Sequence, residues 1–260
     1  MRIATPGHAL FAASMVAVGA LGLIRGDFAP VWEPVPRATP ARELLVYLSG
    51  AVSVAGGLGL LWERTGAHAA RMMLLSLLAW LLMFRLPIIL HAPAVEVSWE
   101  SCAETVVMVA AAWVLYAWLA CGWDSSHLPA VTGGQGVRIA RSLYGLALIP
   151  FGLAHFVYAK QTAALVPAWL PAHLGWAYFT GAAYIAAGGA VLAAFQARLA
   201  AALSAAQMGV FTLLVWLPIV SHGGADASQW SETVLSFALT TAAWVVAESY
   251  RHTPQTVCRP

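Results

Sequence analysis

The sequence predicts an all-α integral membrane protein with eight transmembrane helices, arranged as two parallel four-helix repeats. Three observations predict this fold: a shortage of charged residues, eight long apolar runs, and the recurrence of the first half of the sequence in the second. Only 9% of the 260 residues are charged and 61% are hydrophobic, whereas soluble domains carry about 25% charged residues. This low share of charged residues is too small to cover a water-facing surface. We therefore expect lipid to surround most of the chain.

Eight apolar runs are long enough to cross the apolar core of a bilayer, which requires roughly 17–25 residues. They cover, approximately, residues 8–24, 44–62, 72–90, 103–122, 142–159, 174–195, 200–221 and 233–249. The first run follows one basic residue and is similar to a signal peptide. We predict an uncleaved helix instead, because a matching segment recurs in the second half of the chain.

The second half of the sequence repeats the first at a constant shift along the chain. YLSGAVSVAGGLGLL (47–61) matches YFTGAAYIAAGGAVL (178–192), and RLPIILH (85–91) matches WLPIVSH (216–222). The shift that aligns position 47 with position 178 also aligns position 85 with position 216, and we call it the repeat offset. Because each repeat has an even number of helices, the second enters the membrane from the same side as the first, which predicts a pseudo-twofold axis along the membrane normal. The predicted organisation is a first repeat at 1–122, a cytoplasmic linker at 123–140, a second repeat at 141–250 and a cytoplasmic tail at 251–260.

The basic residues predict the orientation of the chain. The side carrying both termini has eight arginines: Arg2, Arg64, Arg71, Arg138, Arg141, Arg198, Arg251 and Arg259. The opposite side has four basic residues: Arg25, Arg37, Arg42 and Lys160. Because cytoplasmic loops of membrane proteins are enriched in Lys and Arg, we expect both termini to face the cytoplasm.

A pair of histidines marks the candidate site at the outer ends of the helices. His91 and His222 occupy equivalent positions, four residues after Pro87 and Pro218, and a proline inside a helix bends it and leaves a carbonyl unpaired. Close to the pseudo-axis, the two imidazoles could bind a metal, ligate a haem or hold a quinone head group. We favour a small-molecule pocket over metal or haem. The alternative, and the commoner role, is that each histidine caps the C-terminus of its helix.

Other polar and aromatic residues stand near these histidines. Arg85 lies inside the third run, where a charge costs at least about 2.5–3.5 kcal/mol on insertion. It either extends toward the outer interface or pairs with a carboxylate such as Glu100 or Glu104. The remaining candidates for the pocket, each with a simple interfacial role as the alternative, are Arg25, Trp99, Glu100, His155, Trp230 and Glu232.

Two apolar, proline-rich loops lie on the same side of the predicted membrane, at 29–36 and 165–173. Prolines at this spacing prevent regular helix. We predict that both loops lie in the outer interface with Trp32 and Trp169 as anchors; the alternative is a lid over the pocket.

Motifs of known chemistry are missing from the sequence. It has no P-loop, no G-x-S-x-G, no H-E-x-x-H and no C-x-x-C. The three cysteines, Cys102, Cys121 and Cys258, are too scattered for a disulfide framework or a zinc site. A net charge of +2 without any basic run does not favour nucleic acid as a partner.

Several segments resemble the DoxX/DoxD-like family of membrane proteins. They are the V-P-x-W-L-P loop at 166–171, YFTGAAYIAAG at 178–188 and VWLPIVSH at 215–222, so the second repeat carries most of the resemblance. The resemblance implies a bacterial inner-membrane protein that serves redox metabolism as a membrane or quinone-interacting subunit, beside a soluble or peripheral redox partner. It transfers no catalytic motif to this chain, so we expect an accessory subunit rather than a stand-alone enzyme.

Two other classes of protein stay open at this point. One is a permease, or a membrane protein that binds lipid or another small molecule, using the same outer pocket. The other is a non-catalytic scaffold that recruits a partner to the membrane.

Overall fold

The computed structural model describes residues 5–251, which form eight long helices and contain no β-strand. The helices are α1 Pro6–Arg25, α2 Arg42–Leu60, α3 Gly66–His91, α4 Glu96–Leu119, α5 Gly133–Val157, α6 His173–Leu192, α7 Ala197–Ser221 and α8 Ala227–Ser249. Shorter helical turns occur in the connections at Pro30–Trp32, Trp123–His127 and Ala159–Ala164. The predicted all-α class is confirmed. Arg2, Cys258, Arg259 and nearly all of the predicted tail lie outside the described residues.

Six helices of the described part of the chain are long and apolar enough to cross a membrane. They are α1 to α5 and α7. The other two, α6 and α8, have 20 and 23 residues and are not among the six. The chain is therefore a helical membrane protein, as its composition predicts.

Corresponding helices of the two halves begin one repeat offset apart. The pairs of first residues are Arg42 and His173 for α2 and α6, Gly66 and Ala197 for α3 and α7, and Glu96 and Ala227 for α4 and α8. The residues directly before α2 and α6, Ala41 and Ala172, also share a left-handed backbone conformation, with φ of 53° and 56°.

Helices α3 and α7 accommodate Pro87 and Pro218 through a π-helical turn. The turns are Leu81–Arg85 in α3 and Thr212–Trp216 in α7. Pro87 and Pro218 then fall in the first turn of the stretch that follows, where a missing N–H is tolerated. The helices continue through their prolines, so the break expected from the sequence is replaced by a local widening.

Helices α1 and α2, and likewise α5 and α6, approach each other closely through glycines. A Cβ atom on Gly57 would lie 2.5 Å from the carbonyl oxygen of Ala12, and one on Gly188 would lie 2.7 Å from that of Gly145. Small residues serve this purpose in membranes because apolar side chains gain little by leaving lipid, so close backbone packing has to hold the helices together.

The two halves pack against each other through α1, α4, α5 and α8. At one end of the bundle, the Glu248 carboxylate of α8 accepts a hydrogen bond from the Gly7 N–H of α1 at 3.0 Å. At the other end, Arg25 of α1 donates to the Ser231 hydroxyl at 2.9 Å and to the Ala227 carbonyl at 3.1 Å. The first and last helices are thus joined at both ends.

The loop between α1 and α2 folds into the bundle instead of lying along its surface. Trp32 is only 1% exposed, and its indole N–H donates to the Ser53 hydroxyl at 3.1 Å. The prediction that Trp32 anchors the membrane interface is therefore wrong, because the turn Pro30–Trp32 directs the indole against Trp80. Trp169, in the corresponding loop of the second half, is 72% exposed.

Candidate functional site

Two adjacent cavities open at the end of the bundle where α1 and α5 end and α4 and α8 begin. The first has a volume of about 800 Å³ and is lined mainly by the α1–α2 loop, α4 and α8. The second has a volume of about 280 Å³ and lies among α4, α5, α6, α7 and α8. Four residues line both cavities: Glu100, Glu104, Glu232 and Leu235. Three carboxylates therefore stand in the wall that the cavities share, which we call the acidic wall.

The mouth of the first cavity carries two carboxylates that differ in their affinity for a proton. Partial burial opposes ionisation of Asp27, but the Phe28 N–H and the Arg42 guanidinium, 2.9 Å away, outweigh it and lower its pKa. Burial raises the pKa of Glu33, and the Asp27 carboxylate raises it further. Asp27 is therefore the fixed negative charge of the mouth, and Glu33 is the carboxylate that takes up a proton more readily.

Arg85 lies behind the acidic wall and is 1% exposed. It donates to the Thr105 hydroxyl at 2.9 Å, the Ser101 hydroxyl at 2.9 Å and the Val31 carbonyl at 3.1 Å. Among residues 5–251 no carboxylate lies within 4.0 Å of its guanidinium. The expected ion pair of Arg85 is therefore not formed, and its side chain is enclosed by the protein instead of extending outward. Neutral oxygens already satisfy its donors, although it still attracts Glu104 electrostatically.

The second cavity combines aromatic walls with hydrogen-bonding groups. Phe151, Tyr184, Phe211 and Trp216 supply the rings, and His155, Tyr158, Gln161 and Thr162 supply polar atoms beside the acidic wall. His155 is held by its own helix, since its Nδ1–H donates to the Phe151 carbonyl at 2.7 Å, and its ring meets Tyr184 edge-on at 5.4 Å. Because Nδ1 carries a hydrogen, Nε2 of the neutral imidazole is left as an acceptor.

The structure brings together some of the residues singled out from the sequence and not others. Arg25, Glu100, Glu232 and His155 line the cavities, with Glu100 and Glu232 lining both. His91, Trp99, His222 and Trp230 are exposed and line neither.

The two histidines are each bound to their own helix. His91 Nδ1 donates to the Pro87 carbonyl at 2.8 Å and His222 Nδ1 to the Pro218 carbonyl at 2.6 Å. Both make the capping contact that the alternative interpretation describes. The pocket predicted between His91 and His222 corresponds to neither cavity.

Within residues 5–251, no group of three or more His, Cys, Asp or Glu side chains is arranged to hold a metal ion. The groups that the cavities offer are hydrogen-bond donors, acceptors and aromatic rings. These suit an organic ligand with a flat ring and polar edges.

Sequence reasoning missed most of the aromatic lining. Phe211 and Gln161 belong to no motif, Tyr184 lies in the repeated segment 178–192 without being singled out there, and Glu104 is predicted only as a partner of Arg85. One signal was present: Glu100 and Glu104 are four residues apart and therefore share one face of α4. That Glu232 of α8 stands opposite them could not be known without the packing of α4 against α8.

Fold and cavities together define the class: an all-helical membrane protein with paired cavities at one end of its bundle. A family model described as Domain of unknown function (DUF8561) matches residues 144–248. The match runs from α5 to α8 and lies inside the predicted second repeat. No curated protein and no solved structure matches the chain.

Proposed function

We propose that this protein binds a quinone head group in the second cavity and serves redox metabolism as a membrane subunit. The observation that carries the proposal is the lining of this cavity, where four aromatic rings face His155, Tyr158 and the acidic wall. The resemblance to the DoxX/DoxD-like family points to the same class of activity.

The lining matches what quinone chemistry requires. A quinone ring is flat and packs against aromatic side chains. Its two carbonyl oxygens accept hydrogen bonds, which the side chains of Tyr158, Gln161 and Thr162 in the cavity wall can donate. Reduction to the quinol takes up two electrons and two protons. The electrons come from a soluble or peripheral redox partner. The carboxylates Glu100 and Glu104 exchange protons with the first cavity, which opens beside them and contains Glu33.

The proposal includes the disposition of the chain in the membrane. At 1.5 Å per residue, helices α6 and α8 are about 30 Å and about 35 Å long, enough to cross an apolar core of about 30 Å. With these two, the chain has eight spans, in two parallel units with both termini in the cytoplasm of a bacterial inner membrane. The repeat offset that the helix starts share supports the duplication.

A small-molecule permease is the second candidate. The observation that favours it is the acidic wall itself, since Glu100, Glu104 and Glu232 line both cavities and a solute could pass from one to the other. A permease of this kind would take up its solute into vesicles without any redox partner, whereas a quinone-binding subunit would not.

The test compares His155→Ala with His222→Ala in protein purified with its native lipids. Quinone is extracted and quantified, and binding of a water-soluble short-chain quinone is titrated. We expect bound quinone in the wild type, and at least a tenfold weaker affinity in His155→Ala, because the cavity wall loses the imidazole ring that packs against Tyr184. His222→Ala is the matched control, since this exposed histidine makes the same contact with its own helix but lines neither cavity.

Two results would contradict the proposal. One is wild-type protein that neither contains nor binds a quinone. The other is equal loss of binding in both variants, which would move the site to the ends of α3 and α7.

A further inference from the structure

The first half of the chain contains a filled counterpart of the second cavity. Trp32 enters the bundle from the α1–α2 loop and is 1% exposed. Its indole N–H donates to Ser53 at 3.1 Å, and its ring meets that of Trp80 edge-on with 4.9 Å between centroids. The space between α2 and α3 is therefore occupied by a bicyclic aromatic ring of the protein itself, the Trp32 indole.

The backbone of the same turn is held as firmly as the indole. The Trp32 carbonyl accepts a hydrogen bond from the Trp80 indole N–H at 3.0 Å. The preceding carbonyl, that of Val31, accepts one from Arg85 at 3.1 Å. Three residues thus hold the inserted turn: Ser53 of α2, Trp80 of α3 and Arg85 of α3.

The counterparts of these three residues line the second cavity. Adding the repeat offset to Ser53, Trp80 and Arg85 leads to Tyr184, Phe211 and Trp216, and all three are in the cavity wall. The corresponding loop of the second half does not enter its bundle, since Trp169 is 72% exposed. The place that Trp32 fills in one half is a cavity of about 280 Å³ in the other.

We infer that the second cavity binds a planar bicyclic aromatic ring in the position equivalent to the Trp32 indole. This inference rests on the proposed function and deepens it: the quinone is a naphthoquinone rather than a benzoquinone. Phe211 takes the role of Trp80 against the edge of the ring, and the Tyr184 side chain replaces Ser53. A volume of about 280 Å³ lies just below the range of roughly 300–1,000 Å³ for pockets that enclose drug-sized ligands. The cavity therefore receives the ring of the ligand, and any chain attached to it lies outside.

The experiment titrates the full chain with three probes by calorimetry: 2-methyl-1,4-naphthoquinone, indole and 2,3-dimethoxy-5-methyl-1,4-benzoquinone. We expect the two bicyclic probes to bind one per chain and the monocyclic benzoquinone to bind at least tenfold more weakly. Trp216→Ala should weaken the bicyclic probes at least tenfold. Trp230→Ala is the matched control, because this exposed tryptophan lines neither cavity and its loss should change nothing.

A second variant tests the equivalence of the halves directly. Trp32→Ala removes the internal ring, so the number of indole molecules bound per chain should rise from one to two. Should Trp32→Ala fail to fold, Ala154→Trp tests the same equivalence of the two halves. It places an indole in the second cavity and should therefore abolish binding of both bicyclic probes.

The outcomes separate this inference from the proposed function. If the benzoquinone binds as tightly as the naphthoquinone, the inference is overturned and the proposed function stands. If indole binds but neither quinone does, the bicyclic site stands and the proposed function fails. If no probe binds, both fail. An indole stoichiometry that stays at one in a folded Trp32→Ala variant also overturns the inference.

Discussion

At the scale of single residues, Arg85 illustrates how a charge can be buried in a membrane bundle without a counter-ion. Each of its hydrogen bonds ends on a neutral oxygen, from Thr105, Ser101 or Val31. An arginine suits this role because its planar guanidinium presents several donors in fixed directions. Its function is therefore to hold the α1–α2 loop against α3 and α4, and through that loop the wall of the first cavity.

We predict that Arg85→Ala lowers the melting temperature by several degrees. The change leaves the buried Val31 carbonyl unpaired, which costs about 1–3 kcal/mol, and each kcal/mol corresponds to about 2–4 °C in a protein of this size. Thermal unfolding in detergent measures the effect. Arg64→Ala, at an exposed arginine between α2 and α3, should melt like the wild type. Equal melting temperatures for the two variants would show that the buried contacts contribute no stability.

The histidines show which features of the site the sequence predicts and which depend on the packing of the helices. The sequence identifies His91 and His222 because they are related by the repeat offset, but recurrence marks only equivalent places in two repeats. Both side chains point to their own helices. His155 is in the cavity wall because α5 and α6 pack closely enough to direct it against Tyr184, and that closeness depends on residues elsewhere in the chain.

At the scale of helices, close packing of α1 on α2 depends on a few glycines. A Cβ atom at Gly57 would lie 2.5 Å from the Ala12 carbonyl and 2.9 Å from the Val16 nitrogen, both backbone atoms that cannot move aside. Gly189 of α6 is different, since a Cβ atom there would have no neighbour within 4 Å among the described residues.

We predict opposite effects of adding one methyl group at these two positions. Gly57→Ala should destabilise the protein by about 1–3 kcal/mol, because the helices have to separate. Gly189→Ala should stabilise it by about 0.5–1 kcal/mol, because alanine loses less backbone entropy in a helix. Thermal or denaturant unfolding measures both. Destabilisation by both variants to the same extent would mean that helix contacts do not decide the outcome.

The π-helical turns belong to this scale too. The sequence shows Pro87 and Pro218 and predicts a disturbance of each helix. It does not show that the disturbance takes the form of a π turn, because the hydrogen-bond register depends on all residues of the turn and on the helices packed around it.

At the scale of the whole molecule, hydrogen bonds from both ends of α1 to α8 make the chain one closed bundle and not two separate helical units. Closure brings α8 against α4, and the acidic wall exists only because of it. In the proposed arrangement, α6 and α8 cross the membrane with the other six helices.

Cysteine labelling tests this arrangement. In a variant whose native cysteines are replaced by serine, Ala168→Cys should react with a membrane-impermeant maleimide on intact cells. Ala193→Cys and Arg251→Cys should react only after the membrane is opened. The positions flank α6 and follow α8, so they report on both helices. Labelling of Ala193→Cys on intact cells would exclude α6 as a span, and the same result for Arg251→Cys would exclude α8.

The sequence by itself determined the helical membrane class and the repeat offset that the helix starts share. These properties depend on composition and on the order of apolar runs, which can be read along the chain. Only the tertiary structure decided which polar residues meet, that Trp32 fills one half of the bundle, and that its counterpart in the other half is a cavity. The physical reason is that lipid surrounds apolar side chains as favourably as a neighbouring helix does, so hydrophobicity alone does not select one packing of the helices over another. Contacts between glycines, hydroxyls and aromatic rings select one of them, and those contacts join residues that are far apart in sequence.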